Sequence, residues 1–191
     1  MVNLNLLENK PKQICSIDAS TNSLAFAIFV DEKIDRIGKI NFTGKDTYKK
    51  LSDAVRKTSS FFDMYPEIEA VVIEHTVYLN SAKTVADLSL VQGAILAGIN
   101  LKKDHQIKSI NPIAWQTYLG NQRLTAQEKE LIRSDNPNKS DAWYKNKERE
   151  FRKQRTMDII YEIYGKRVVD NDVADAIGVG HYAIHNWSKM I

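Results

Sequence analysis

Residues 14–30, ICSIDASTNSLAFAIFV, hold two short apolar runs separated by a polar turn, with one aspartate inside the first run. The runs at 14–19 and 24–30 have the length and composition of buried strands. A second polar turn at Asp31-Glu32-Lys33 leads to Ile34, Ile37, Ile40 and Phe42, which continue as a third, more exposed strand. The chain therefore opens as an antiparallel meander.

Beyond it the period changes. Tyr48, Leu51, Val55, Thr58 and Phe62 recur three or four residues apart, which predicts an amphipathic helix from Asp46 to Met64. AVVIE at 70–74 is a short apolar strand ending in a glutamate, followed by a small-residue-rich helical pattern from about Ser81 to Leu101. Gln106 to Ile110 reads as a strand, and Asn111-Pro112 as a helix start with proline at the first helical position. A last helix runs from Asn171 or Asp172 to about Trp187, with Asp170 and Asn171 available as caps. Three strands followed by alternating helix and strand indicate an α/β fold with a sheet of mixed direction.

The 191 residues suit one domain with a full core. An apolar share of 43% excludes disorder as the main theme, and 27 Lys and Arg against 24 Asp and Glu exclude a purely electrostatic nucleic-acid binder. The single cysteine, Cys15, cannot form an internal disulfide, and no Cys/His spacing resembles a zinc site. The first residues lack the pattern of a signal peptide, and no apolar run approaches the roughly 18 residues of a membrane span, so a cytosolic protein without a membrane partner is expected. Charge is unevenly spread. Residues 120–155 carry ten Lys and Arg against six Asp and Glu, while the rest of the chain is slightly acidic. That segment is either a solvated helical face with a loop at Ser134 to Ser140 or a basic arm over a polyanion.

Four acids stand in apolar surroundings: Asp18 in the first strand, Glu74 at the end of 70–74, and Asp172 and Asp175 in DVADAIGVGHYAI. Taken singly, Asp18 opens a turn, Glu74 caps the next helix, Asp172 is an N-cap and Asp175 favours the helix dipole. Taken together they have another account. Spacing of three puts Asp172 and Asp175 on one helix face, and in a mixed sheet the first and fourth strands can lie side by side with their carboxylates at neighbouring ends. Converging carboxylates with no Lys or Arg inside their motifs call for a hard divalent cation, Mg²⁺ or Mn²⁺. Two such ions about 4 Å apart serve phosphodiester cleavage.

IDAST on the first strand, VVIEHTVY on the fourth, LVQGAILAG in the next helix and D-x-x-D-A at the start of the last helix resemble, in order and spacing, the RuvC family of Holliday-junction resolvases. The resemblance covers about residues 14–118 and 148–185. It implies an RNase H-like fold, a homodimer that cuts four-way (Holliday) junctions in DNA with two Mg²⁺ per site, Mn²⁺ substituting, and Asp18, Glu74, Asp172 and Asp175 as the metal-binding catalytic acids. It further implies branched DNA as partner and the cytoplasm of a bacterial cell as location, phage-encoded members included. Tyr78 matches an aromatic that stacks on junction bases, and Lys153, with Arg152 and Arg155, a basic position just before the penultimate helix. Gln116 stands where the family often carries a lysine, Ala19-Ser20 where many members have Pro-Gly, and residues 120–147 look like a basic insertion. His75 and His181 flank the acidic motifs as second candidates for acid, base or ligand.

Other readings stay open at this level. The same fold cuts flaps, Y-branches or RNA. IDASTNSLA also resembles the phosphate loop of actin-like and sugar-kinase-like ATP-binding modules, which need a second lobe and more than this chain's 8 glycines. A junction-binding protein without catalysis would lack an acid, and none is missing.

Overall fold

The computed structural model describes residues 10–76 and 81–190. Five strands, β1 (Gln13–Ala19), β2 (Ser23–Val30), β3 (Lys33–Asn41), β4 (Ala70–Glu74) and β5 (Gln106–Ile110), form one sheet in the order β3-β2-β1-β4-β5. The first three pair antiparallel, and β1 with β4 and β4 with β5 pair parallel. The first and fourth strands, which a mixed sheet allows to lie side by side, do so. Parallel neighbours need crossover helices, supplied by α1 (Thr47–Met64) and α2 (Ala82–Ile99). The strands β1, β2 and β4 read as nearly unbroken apolar runs because both faces of the sheet are covered.

Alternation along each strand divides the core. Cys15, Ile17, Phe26, Ile28, Val71 and Ile73 face α1 and α2. Ile14, Ala25, Ala27, Phe29, Ala70 and Val72 face the other layer, which contains α3 (Pro112–Tyr118), α5 (Asp141–Tyr164) and α6 (Asn171–Asn186). By the same alternation Asp18 and Glu74, each an even number of residues from Ile14 and Ala70, belong to the α6 side. The parallel register runs to Ile17 opposite Ile73, so both acids come one residue beyond the last pairing.

The caps follow the sequence. Asp46 accepts from Lys49 N, Ser81 from Thr84 N, and Asn111 from Ile113 N with proline in the first turn. Two single-residue readings fall here: Asp170 rather than Asp172 caps α6, and Ser81 rather than Glu74 caps α2. The α1 stripe is also rotated from its expected centre, since Ala54, Thr58, Phe61 and Phe62 are buried while Tyr48 is 82% exposed. Tyr48 lies in the first turn, ahead of where the helix meets the sheet.

The expectation of no membrane-length apolar stretch needs correcting. By length and composition α2, 18 residues with a mean hydropathy of 1.3, is long and apolar enough to cross a membrane. In the fold its Val91, Ile95, Gly98 and Ile99 are buried against α1 and the sheet, while the rest of the helix is partly or fully exposed.

The layers meet most tightly under α6. A Cβ at Gly180 would lie 2.1 Å from Cε2 of Phe29 and 2.6 Å from Oγ of Ser16, and one at Gly178 would lie 2.5 Å from Cζ3 of Trp115. Ser16, fully buried, donates its hydroxyl to the carbonyl of Ala176 at 2.7 Å. Gly180→Ala should therefore destabilise the protein by about 1–3 kcal/mol through overpacking against an immovable ring. Urea unfolding measures it, and an unchanged midpoint would show that α6 can lift off without cost.

Candidate active site

The strand ends and α6 bring the four acids to one place. Asp18 comes from β1, Glu74 from the end of β4, and Asp172 and Asp175 from the first two turns of α6, where the helix dipole favours negative charge. Their mutual influence is visible in their protonation. Burial holds the Asp18 carboxyl well above the usual carboxylate range, and repulsion from Glu74, Asp175 and Asp172 adds to it against a smaller opposing pull from Lys39. Asp175 is pushed up to about 7 by burial and by Glu74 and Asp172, with Lys153 and Arg152 opposing. Glu74 is also raised by burial, while its hydrogen bond from Trp115 works against the shift.

Two of the acids are engaged and two are not. The indole N–H of Trp115, a residue only 1% exposed, donates to Oε2 of Glu74 at 2.5 Å. Lys39 of β3 places Nζ 2.6 Å from Oδ2 of Asp172 and 3.0 Å from Oδ2 of Asp170. The carboxylates of Asp18 and Asp175 have no hydrogen bond or ion pair among the described residues. Lys39 and Trp115 were not among the residues the sequence singled out. The hairpin register sets Asp18 opposite Ala25 and Ala25 opposite Lys39, so Lys39 shares the sheet face of Asp18. Among the described residues no three acidic, histidine or cysteine side chains stand ready to hold an ion as they are. Asp172 is turned to Lys39 and Glu74 to Trp115.

In front of Asp18 and Glu74 opens a cleft of about 950 Å³, whose walls include Gln92, Gln116, Arg123 and Arg152. Gln92 fixes the strand end, donating to the Glu74 carbonyl at 2.8 Å and accepting from Thr76 Oγ1 at 2.6 Å. Arg152 donates to Gln116 Oε1 at 2.5 Å, so a guanidinium reaches the position where the resemblance expects a lysine. The basic trio lies in the middle of α5, not ahead of the penultimate helix. Its members part company: Arg152 lines the cleft, Lys153 is exposed within electrostatic reach of Asp175, and Arg155 is paired with Glu128. Tyr78 lies outside the described residues. His75 lines the cleft. His181 bonds to the Tyr164 hydroxyl at 2.7 Å, and burial pulls its pKa down to about 4, so it is a neutral packing group at pH 7.

No protein-family model matches the sequence, and no curated protein matches it. Solved structures do. Thermus thermophilus RuvC in complex with a Holliday junction substrate superposes with a TM-score of 0.66 at 11% identity, over 94% of this chain and 99% of that one. T. thermophilus RuvC by itself gives 0.60 at 11% identity, over 90% and 95%. The yeast mitochondrial Holliday junction resolvase gives 0.54 at 12% identity, over 94% and 80%. The chain has the RuvC-like, RNase H-like fold that its motifs led us to expect.

The raised pKa of Asp175 carries a sign. An acid that titrates near 7 when folded and near 3.8 when unfolded holds more protons in the native state across that window, so its contribution to stability is lost as pH rises from about 4 to 7. Replacement by asparagine removes this dependence. In EDTA, Asp175→Asn should gain stability relative to wild type steadily over that range and level off above it. Thermal melts at stepped pH test this, and a pH-independent difference would place Asp175 outside the cluster. Comparing the two proteins at each pH cancels the opposite contribution of His181, which is protonated more readily in the unfolded chain.

Proposed function

We propose that this protein is a metal-dependent, structure-selective DNA endonuclease that resolves four-way junctions. The observation that carries the reading is the pair of carboxylates without partners, Asp18 and Asp175, held beside Glu74 and Asp172 at the strand ends of a RuvC-like fold. Buried charge of one sign is costly unless something of opposite sign compensates it. An all-carboxylate donor set suits a hard divalent cation such as Mg²⁺ or Mn²⁺. Asp18 and Asp175 would hold it, Glu74 and Asp172 completing the set on leaving Trp115 and Lys39. Bound there, a pair of such ions would supply an activated water and a stabilised leaving oxygen for phosphodiester hydrolysis.

The rest of the chemistry belongs to the chain. Arg152 and Arg123 at the cleft wall attract the phosphate. Gln92 keeps the Glu74 backbone in place, and Trp115 orients its carboxylate before substrate arrives. The neighbour solved with a Holliday junction supports the four-way substrate over flaps or linear duplex. With Mg²⁺, paired symmetric nicks are expected on a synthetic four-way junction and not on linear duplex. They should disappear in EDTA. Asp175→Asn should cut at least about 10²-fold more slowly, the scale of losing one preorganised electrostatic contact, while still binding the junction. Faster cutting of a Y-branch would make the enzyme a broader branch nuclease, and no cutting with Mg²⁺ or Mn²⁺ would overturn the reading.

Two symmetric cuts need two sites, and we propose a two-fold dimer built on α2. Its outer face carries Ala86, Leu90, Gly93 and Ala97 at helical spacing, all exposed, with Leu90 52% accessible and open space around Gly93. Small residues there let a second α2 approach closely, and a two-fold axis makes the face its own complement. Light scattering should give about twice the 21.8 kDa chain mass, and Leu90→Glu should give the monomer. A monomeric wild type would refute the dimer.

A further inference from the structure

The helix α5 has one stripe whose character changes where the protein body ends. Stepping back from its C-terminal half by threes and fours, Ile160 and Thr156 are buried, with Ile160 in the core shared with α6. The same stripe continues as Arg152 with its neighbour Lys153, then Arg149, then Lys145, of which all but Arg152 are exposed. It is buried towards the C-terminal end of the helix and cationic towards the N-terminal end. The change falls beside Asp175, whose carboxylate feels both Lys153 and Arg152.

Four other cations of this segment are already used. Helix α4 (Ala126–Asp135) packs on the adjoining stripe of α5 through Ile132 and Tyr144. Around that contact Lys129 pairs with Glu148 at 3.6 Å, Arg133 with Asp141 at 3.7 Å, and Arg155 with Glu128, while Lys147 pairs with Glu150 at 3.1 Å. Lys145, Arg149 and Lys153, and Arg123 in the cleft, have no ion pair among the described residues. The hairpin of α4 and α5 thus pairs Glu128, Asp141, Glu148 and Glu150 with its own cations and leaves a row of cations on the stripe of α5 that carries Arg152 at the cleft wall. From Lys153 to Lys145 the row spans about 12 Å at 1.5 Å per residue, the rise of three to four nucleotides of one strand.

We infer that this row is the seat of one arm of the DNA, the phosphates of the cut strand leaving the carboxylate cleft past Arg152 and Lys153 and running along Arg149 and Lys145. It rests on the nuclease reading above and gives the segment after residue 120 its task. The contacts are to backbone alone, so they position the arm without reading its sequence.

The test is the salt dependence of binding, measured by fluorescence polarisation in EDTA with labelled four-way junction and with labelled linear duplex. Each phosphate contact contributes about 0.9 to the slope of log K against log salt. Lys145→Gln/Arg149→Gln should flatten that slope by about two with an unchanged melting temperature. Lys129→Gln/Lys147→Gln, which removes equal charge from paired positions on the same hairpin, should change it far less. An unaltered slope in the first variant, or an equal loss in the second, would overturn the inference. A wild type that binds duplex as tightly as junction would count against the branched substrate alone, because the difference between the two variants is read on either DNA.

Discussion

The structure depends on how closely α6 lies against the sheet. Glycine at 178 and 180 removes the Cβ atoms that would strike Trp115 and Phe29, and the Ser16 hydroxyl reaches the Ala176 carbonyl across the gap. Those contacts are distributed around the acids. Ser16 stands two residues before Asp18, Ala176 follows Asp175, and Trp115, pressed against Gly178, is the residue that donates to Glu74. One packing interface therefore sets the distance between the strand acids and the helix acids. A layer a methyl group thicker would separate them, since close-packed interiors transmit such changes.

Holding like charges together works against folding, and the molecule offsets it unevenly. Lys39 neutralises Asp172 and Asp170, and the indole of Trp115 serves Glu74, while Asp18 and Asp175 stay without a partner and are raised in pKa. Two of the four carboxylates thus have a partner and two do not. Such a deficit is expected where a cation is to bind, since perturbed groups gather where chemistry is done.

Much of this was legible in the sequence, and what was not has identifiable causes. The antiparallel opening and the later alternation of helix and strand followed from apolar runs, and the singling out of Asp18, Glu74, Asp172 and Asp175 from acids placed where acids are costly and from the resemblance; that β1 and β4 can lie side by side was open to a mixed sheet. Lys39 was beyond reach because of one irregularity. Counting back from the Asp31-Glu32 turn sets Gly38 opposite Ala25, but a shift in register between Ile28 and Phe29 moves Lys39 there instead. The bond from Trp115 to Glu74 joins residues 41 apart, and no local pattern announces it. Arg155 looked as available as Lys153 because its partner Glu128 lies 27 residues away on another helix.

That last case bears on how charge should be read in a chain of this kind. A net charge of +3 excludes little, because it counts cations that neutralise the protein's own acids together with those left for a partner. Within residues 120–155 Lys129, Arg133 and Arg155 tie α4 to α5, and the row from Lys145 to Lys153 runs up to the cluster of carboxylates at Asp175. The two sets are opposite in sign and lie side by side at Lys153 and Asp175. On the proposed function a phosphodiester would fit between them, its backbone charge meeting the cationic row and a cation at the carboxylates meeting the phosphate to be cut. Neither half would retain a nucleic acid in position for cleavage without the other, since the acids alone repel phosphate and the basic row alone binds any strand.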